Sequence, residues 1–362
     1  MTASEDVYRK LAQRLDAIPN GFPATKSGVE LRLLAKMFTP EEARLASVMK
    51  LTREPAADIA ARAGVDERTA RRTLKQMVRD GLIRLKRGEH QLLFGLMPFA
   101  VGFYEEQLPR MDAEMAALVE QYLQETRGAG IARPEPAIHR VIPVAEAIPA
   151  GLEIAPYEHA VNLVEQAKAW GVRDCICRVQ QALLGKTCDY PVEICLLFAP
   201  VEGVFANNDV TREIDKEEAL DILQQAADAG LVHCPGNYRD GMYYICNCCS
   251  CCCGVLRSVT EFGIPSAIAH SDFYAVVDAE VCIGCEDCLE RCQFGALSVP
   301  GEVCEVTYAR CVGCGACTIT CPTEALSLAR RPEGETPTPP ANIKEWMAQR
   351  AENRGISMAD IT

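Results

Sequence analysis

Apolar positions in the first hundred residues recur at helical spacing and then switch to alternation. Residues 1 to about 30 read as a short polar helix followed by a Gly/Pro break, Ile18-Pro19-Asn20-Gly21-Phe22-Pro23. The apolar run over 31–38 predicts a helix. Thr39-Pro40-Glu41-Glu42 predicts the start of the next, with Thr as N-cap, Pro at the first position and Glu at the third, running to about Leu51. Pro55 to Gly64 predicts another helix with Ile59 and Ala60 inside. After the turn at Gly64-Val65-Asp66, Asp66 caps a helix over Glu67–Arg79 that buries Ala70, Leu74 and Val78. Gly81 ends it. Leu82 to Leu85 and Gln91 to Phe94 then alternate around Gly88, as a β-hairpin does.

Beyond residue 95 the pattern predicts a helix from about Arg110 to Thr126 and then a proline-rich linker opening at Arg133-Pro134-Glu135-Pro136. Pro156 opens a predicted helix over 157–170, closed by Gly171. Val172 to Cys177 and Val192 to Phe198 read as short buried strands, and Asp215 with Glu218 as the capping box of a helix reaching about Ala229, with Gly230 behind it. The tail is Pro/Glu/Thr-rich to about Pro340. It then offers a short helix, Asn342 to Asn353, around a Trp346 expected to be exposed on a flexible arm and to hint at docking. The fold class that follows is α+β and multidomain. Its segments are an N-terminal arm (1–30), a helix–helix–turn–helix–hairpin region with an extra helix (31–130), a cysteine-rich α+β region (131–272), a C-terminal cysteine module (273–330) and the tail (331–362). The order of elements in 31–130 resembles a winged helix-turn-helix domain.

Composition narrows the setting. The chain has 362 residues, of which 49% are apolar, enough for two or three cores. No run of 18 uncharged apolar residues occurs, so no membrane span is expected. Met1 to Leu15 carries mixed charge and no signal-peptide core. Twenty cysteines without such a core argue for metal ligation in a reducing compartment, hence a cytoplasmic setting, in an organism tolerant of low-potential clusters such as an anaerobe. A net charge of −13 argues against the whole chain serving as a nucleic-acid scaffold.

Eight cysteines form two runs. Cys282, Cys285, Cys288 and Cys292 are spaced C-x2-C-x2-C-x3-C. Cys311, Cys314, Cys317 and Cys321 repeat the spacing and end on Pro322. Three thiolates at this spacing wrap one face of a cubane, and the fourth reaches the other cluster. One [4Fe-4S] cluster is therefore assigned to Cys282, Cys285, Cys288 and Cys321, and a second to Cys311, Cys314, Cys317 and Cys292. Gly284, Gly313 and Gly315 let backbone pass close to sulfide. Gly295-Ala296-Leu297 and Glu324-Ala325-Leu326 recur after the runs, an internal duplication. Over about 55 residues the segment resembles a bacterial two-cluster ferredoxin, except that Gln293 stands where that family usually has proline.

Of the other twelve cysteines, Cys234 and Cys304 look isolated and read as small core residues. The remaining ten are Cys175, Cys177, Cys188 and Cys195, then Cys246, Cys248, Cys249, Cys251, Cys252 and Cys253. Six thiols within eight residues would oxidise readily if free, which a bound metal prevents. On an extended segment Cys246 and Cys248 point one way and Cys249 the other; on a helix Cys249, Cys252 and Cys253 share a face. The run cannot be one four-ligand site. It divides between sites or joins Cys175, Cys177, Cys188 and Cys195 around shared clusters. Additional iron–sulfur is the leading reading, ahead of structural zinc and of no metal. The Cys-Cys-Cys-Gly end resembles the Cys-Cys-Gly motif of heterodisulfide-reductase-type domains, though it occurs once and without that family's spacing.

Taken whole, the chain resembles a broadly distributed family of iron–sulfur proteins of anaerobes that join a winged-helix-like region, a Cys-x-Cys-Arg and Asn-Cys-Cys-x-Cys-Cys-Cys block and a ferredoxin end. The first functional expectation is electron transfer to or from a partner oxidoreductase. The alternatives are an oxidoreductase with a catalytic middle site, with Arg178 as an anion clamp, and a redox-sensing DNA-binding regulator. Arg62 to Arg87 holds nine Arg/Lys against three acids, with Arg68, Arg71, Arg72 and Lys75 facing out, so DNA contact is a lesser reading. No dinucleotide or Walker fingerprint occurs. His139, His159, His233 and His270 are scattered and read as core or surface. Oligomeric state is not legible.

Overall fold

The computed structural model describes residues 3–148 and 154–362. Met1 and Thr2, and 149–153 within the expected linker, lie outside the described residues. The fold is mixed α and β, and contacts divide it into two compact units. One comprises residues 1–135, 180–186 and 347–362; the other comprises 136–179 and 187–346. Among the described residues, no helix is long and apolar enough to cross a membrane.

In the first unit, helices span Ala3–Asp16, Val29–Met37, Pro40–Ala46, Ala56–Ala63 and Glu67–Arg79. The capping box at Thr39 is present in both directions, with Pro40 at the first helical position. That helix stops at Ala46, short of the expected Leu51, where the Ser47 hydroxyl turns back to donate to the Arg44 carbonyl. Asp66 accepts the Thr69 N–H at 2.9 Å and caps Glu67–Arg79. This helix buries Ala70, Leu74 and Met77; the expected Val78 is only half-buried, because Met77 completes the i, i+4, i+7 stripe. Ile83–Arg87 and Leu92–Leu96 pair antiparallel about Gly88, and Glu54–Pro55 adds a third strand beside Leu92–Leu96.

The second unit is built on a five-stranded antiparallel sheet, in the order Arg212–Ile214, Ala169–Asp174, Glu193–Ala199, Tyr244–Cys248 and Val232–Pro235. Helix Lys216–Asp228, capped by Asp215, packs Ala219, Ile222, Leu223 and Ala226 onto Val172, Ile194, Leu196 and Phe198. Two expectations fail here. The helix over 157–170 is one short turn at Pro156–Glu158 and a helix of Ala160–Glu165; Ala169 to Gly171 are already strand. Gly171 fits there because a Cβ would meet Thr211 Cγ2 at 2.5 Å, so it marks a close approach to the next strand and not a helix end. Cys177 is not strand either: helix Ile176–Leu183 begins directly after the sheet edge.

The cysteine module belongs to this second unit. Phe273–Val277 pairs antiparallel with Leu326–Arg330, and Leu297–Ser298 with Glu305–Val306. Trp346, expected on an exposed arm, is buried and donates its indole N–H to the Ala137 carbonyl at 2.9 Å. It offers no docking surface.

Candidate metal centres

The two four-cysteine runs fold into equivalent loops. Gly284 and Gly313, each one residue before the second cysteine of its run, have φ of +64° and +75°. A Cβ on Gly313 would meet the Phe273 carbonyl at 2.1 Å, and one on Gly284 the Glu302 carbonyl at 2.7 Å. The glycines therefore make room for protein backbone behind the loop, where the sequence had suggested room for sulfide. Glu286 and Glu324 adopt the same left-handed region at φ of +68° and +54°, at the positions that Gly315 and Gly295 fill in the other run.

Cys282, Cys285, Cys288 and Cys321 line one cavity with Gly284, Thr323 and Leu326. Cys321, fourth in its own run, is thus placed with the first three of the other. The Cys304 N–H donates to Cys282 Sγ at 3.4 Å, and its own sulfur stands 3.7 Å from Cys288 Sγ. Cys304 is accordingly not the isolated core residue read from the sequence. Cys321 is held below the usual thiol range: burial pushes it up, but the Leu326 N–H and the Thr323 hydroxyl outweigh that. The second quartet is deeper. Cys311 and Cys317 are buried, Ala275 N–H donates to Cys311 Sγ at 3.4 Å, and Ala296 N–H donates to Cys292 Sγ at 3.2 Å. Burial raises the Cys317 thiol, and the charges of Cys314, Cys311 and Cys292 add to it. Cys292 thus faces the second run. Gln293 also gains a role: its side chain accepts the Ser250 N–H and donates to the Gly230 carbonyl, each at 2.6 Å. The proline usual at that position would lose both bonds.

The ten middle cysteines separate into two groups. Strand parity sends Cys246 and Cys248 one way. With Cys175 and Cys177 at the start of helix Ile176–Leu183, Cys195 on the neighbouring strand, and Cys253 at the N-cap of helix Gly254–Thr260, they close a ring. Thiol contacts run from Cys175 to Cys177, Cys253, Cys248, Cys246, Cys195 and back. Hydrogen bonds from their two neighbours hold Cys175, Cys246 and Cys253 well below the usual thiol range; the same contacts push Cys177 and Cys195 well above it, and Cys248 is pushed above it by Cys234 first and then by Cys246 and Cys253. Six buried thiol sulfurs in contact around one circle are a donor set suited to a metal–sulfur group. Cys234, the other residue read as isolated, touches Cys248 from outside the ring. The second group is Cys188, Cys249, Cys251 and Cys252, whose sulfurs all lie within 4.8 Å of one another.

Two buried cations or hydrogen-bond donors face these thiols. Arg178 is 3% exposed; its Nη2 donates to the Asn247 carbonyl at 3.0 Å, while Nε and Nη1 have no hydrogen-bond partner. Burial pulls its pKa down, but the charges of Cys175, Cys249, Cys248 and Cys195 together push it up, so it is the counter-charge shared by both groups. His139 is 4% exposed, lies within the electrostatic reach of Cys246 and Cys253, and has both ring nitrogens unpartnered. Buried polar atoms are rarely left so. Unsatisfied donors beside six thiols fit a site completed by an anionic metal–sulfur group. No sequence signal marked His139.

Residues 305–327, which contain Cys311, Cys314, Cys317 and Cys321, match the 4Fe-4S binding domain family. No curated protein and no solved structure matches the chain. The C-terminal cysteine module therefore carries an iron–sulfur motif of ferredoxin type, and with the cysteine-rich region it points to iron–sulfur binding and electron transfer.

Proposed function

We propose that the protein is an electron carrier with two [4Fe-4S] clusters, held by Cys282, Cys285, Cys288 and Cys321 and by Cys311, Cys314, Cys317 and Cys292, and a further iron–sulfur cluster in the six-cysteine ring. Such clusters supply reversible one-electron couples. The chain's own part is to bind them through thiolates, to donate N–H groups to the ligand sulfurs, and to keep water away. One observation carries the reading: Cys292 and Cys314 pack in the same apolar core as Cys234, Cys248 and Cys253. The second quartet and the ring thus share a dry contact, as a relay requires.

The entry end is the first quartet. Cys285 is exposed, flanked by exposed Val281 and Ile283 and by Asp278, Glu280, Glu286, Asp287 and Glu290. An apolar spot in an acidic rim suits a redox partner protein with a basic face. Residues 31–130 are read as a winged-helix-like region, 131–272 as the cysteine-rich region and 273–330 as the ferredoxin module, in a cytoplasmic protein. A DNA-reading role has one observation in its favour: Arg68, Arg71, Arg72, Lys75 and Arg79 line one face of helix Glu67–Arg79. Glu41 and Glu42 line the same groove, and Arg71 is paired to Glu67 at 2.8 Å, so phosphate contact there is opposed. A catalytic middle site would need an open metal position near Arg178, which is buried.

An anaerobic reductive titration tests the proposal. The chain should accept at least three electrons, with a course unchanged by duplex DNA. Uptake of two or fewer would remove the third cluster, and a DNA-dependent midpoint would favour the regulator.

A further inference from the structure

Thiolates around one metal ion and thiolates around a cubane differ in spacing. Four sulfurs bound to a single ion at about 2.3 Å stand about 3.8 Å apart along each tetrahedral edge. A cubane's four thiolates bind four different irons and are held apart by the width of the cluster. In this chain Cys251 Sγ and Cys252 Sγ are 3.7 Å apart, and with Cys188 and Cys249 all four sulfurs lie within 4.8 Å. This is the group among the described residues that meets that closeness. The eight ferredoxin cysteines, in the same structure, do not; Cys282, Cys285, Cys288 and Cys321 surround a cavity instead. Within the ring, each cysteine touches its two neighbours around the circle, and Cys248 also touches Cys234 outside it.

We propose that Cys188, Cys249, Cys251 and Cys252 hold one divalent thiophilic ion of the zinc class, and no iron–sulfur cluster. The donor set is closed and all-thiolate, the pattern of a structural site with no open coordination position. Four thiolates on a divalent ion leave two negative charges, and the guanidinium of Arg178, buried, bonded to the Asn247 carbonyl and with Nε and Nη1 lacking a hydrogen-bond partner, lies within electrostatic reach of Cys249 to offset them. The ligands join residue 188 to the turn at 249–252, so the ion clips a loop of some sixty residues and fixes the segment that also supplies Cys246, Cys248 and Cys253 to the ring. The inference rests on the reading that the middle thiols bind metal, but not on the electron-transfer role.

The test uses the full chain, purified anaerobically, as wild type and as Cys188→Ala and Cys251→Ala. Cys251 is exposed, so its replacement leaves the packing least disturbed. Metal and acid-labile sulfide are counted on each, and the emptied wild-type site is refilled with cobalt. One zinc per chain in the wild type, lost in either variant with sulfide unchanged, is the expected result. Cobalt should give the intense absorption of a tetrahedral tetrathiolate. A single iron lost without sulfide would equally support a one-metal site. Loss of sulfide together with iron in Cys251→Ala, or no metal change in either variant, overturns the proposal. Neither outcome touches the iron and sulfide of the ring and the ferredoxin module, which are read separately.

Discussion

Replacing Cys292 by Ala should abolish the electron paramagnetic resonance signal of one reduced cubane and leave the other. Cys292 is fourth in the first run, yet its neighbours are those of the second: its charge acts on Cys314 and Cys317, and it packs with Cys314 and Val312. A cubane left with three thiolates has an iron without a protein ligand. Iron should fall by up to four per chain. Cys285→Ala should remove the complementary signal, which identifies each spectrum with its quartet. If Cys292→Ala and Cys285→Ala remove the same signal, the exchange of fourth ligands between runs is wrong.

The second large effect is expected at the ring. Cys246 bridges Cys195 and Cys248, so Cys246→Ala opens the circle at one point and leaves buried Arg178 and His139 beside an incomplete set of thiolates. The chain should lose the iron and sulfide held in excess of the two cubanes while both cubane signals persist. Cys234→Ala is the matched control. Cys234 is fully buried and touches Cys248, but lies outside the circle, so its loss should cost stability of roughly 1–2 kcal/mol, measured in denaturant, without loss of iron. Equal loss of iron in both variants would show that the circle is no unit of binding.

What could be read from the residues was local. The caps at Thr39, Asp66 and Asp215 are set by side chains three residues from their partners, and the hairpin at Gly88 by alternation on either side. The parity that parts Cys246 and Cys248 from Cys249 is also a property of a few consecutive residues. What was missed depends on residues far apart in the chain. Gly171 is strand because of Thr211, Trp346 is buried by reaching Ala137, and Gln293 replaces proline because Ser250 and Gly230 need its amide. The division of ten cysteines into six and four follows from how the sheet and two helix starts meet. Cys188 looked like a companion of Cys175 and Cys177 but lies with Cys249, Cys251 and Cys252. His139 carried no motif; only burial without a partner singles it out.

The most direct measurement is the iron and acid-labile sulfide content of the anaerobically reconstituted wild-type chain, with zinc counted on the same sample. Two cubanes account for about eight irons and eight sulfides. The account predicts more than eight irons, sulfide in excess of eight, and one zinc. Eight irons or fewer, with sulfide to match, would contradict the claim that the middle cysteines carry an iron–sulfur cluster.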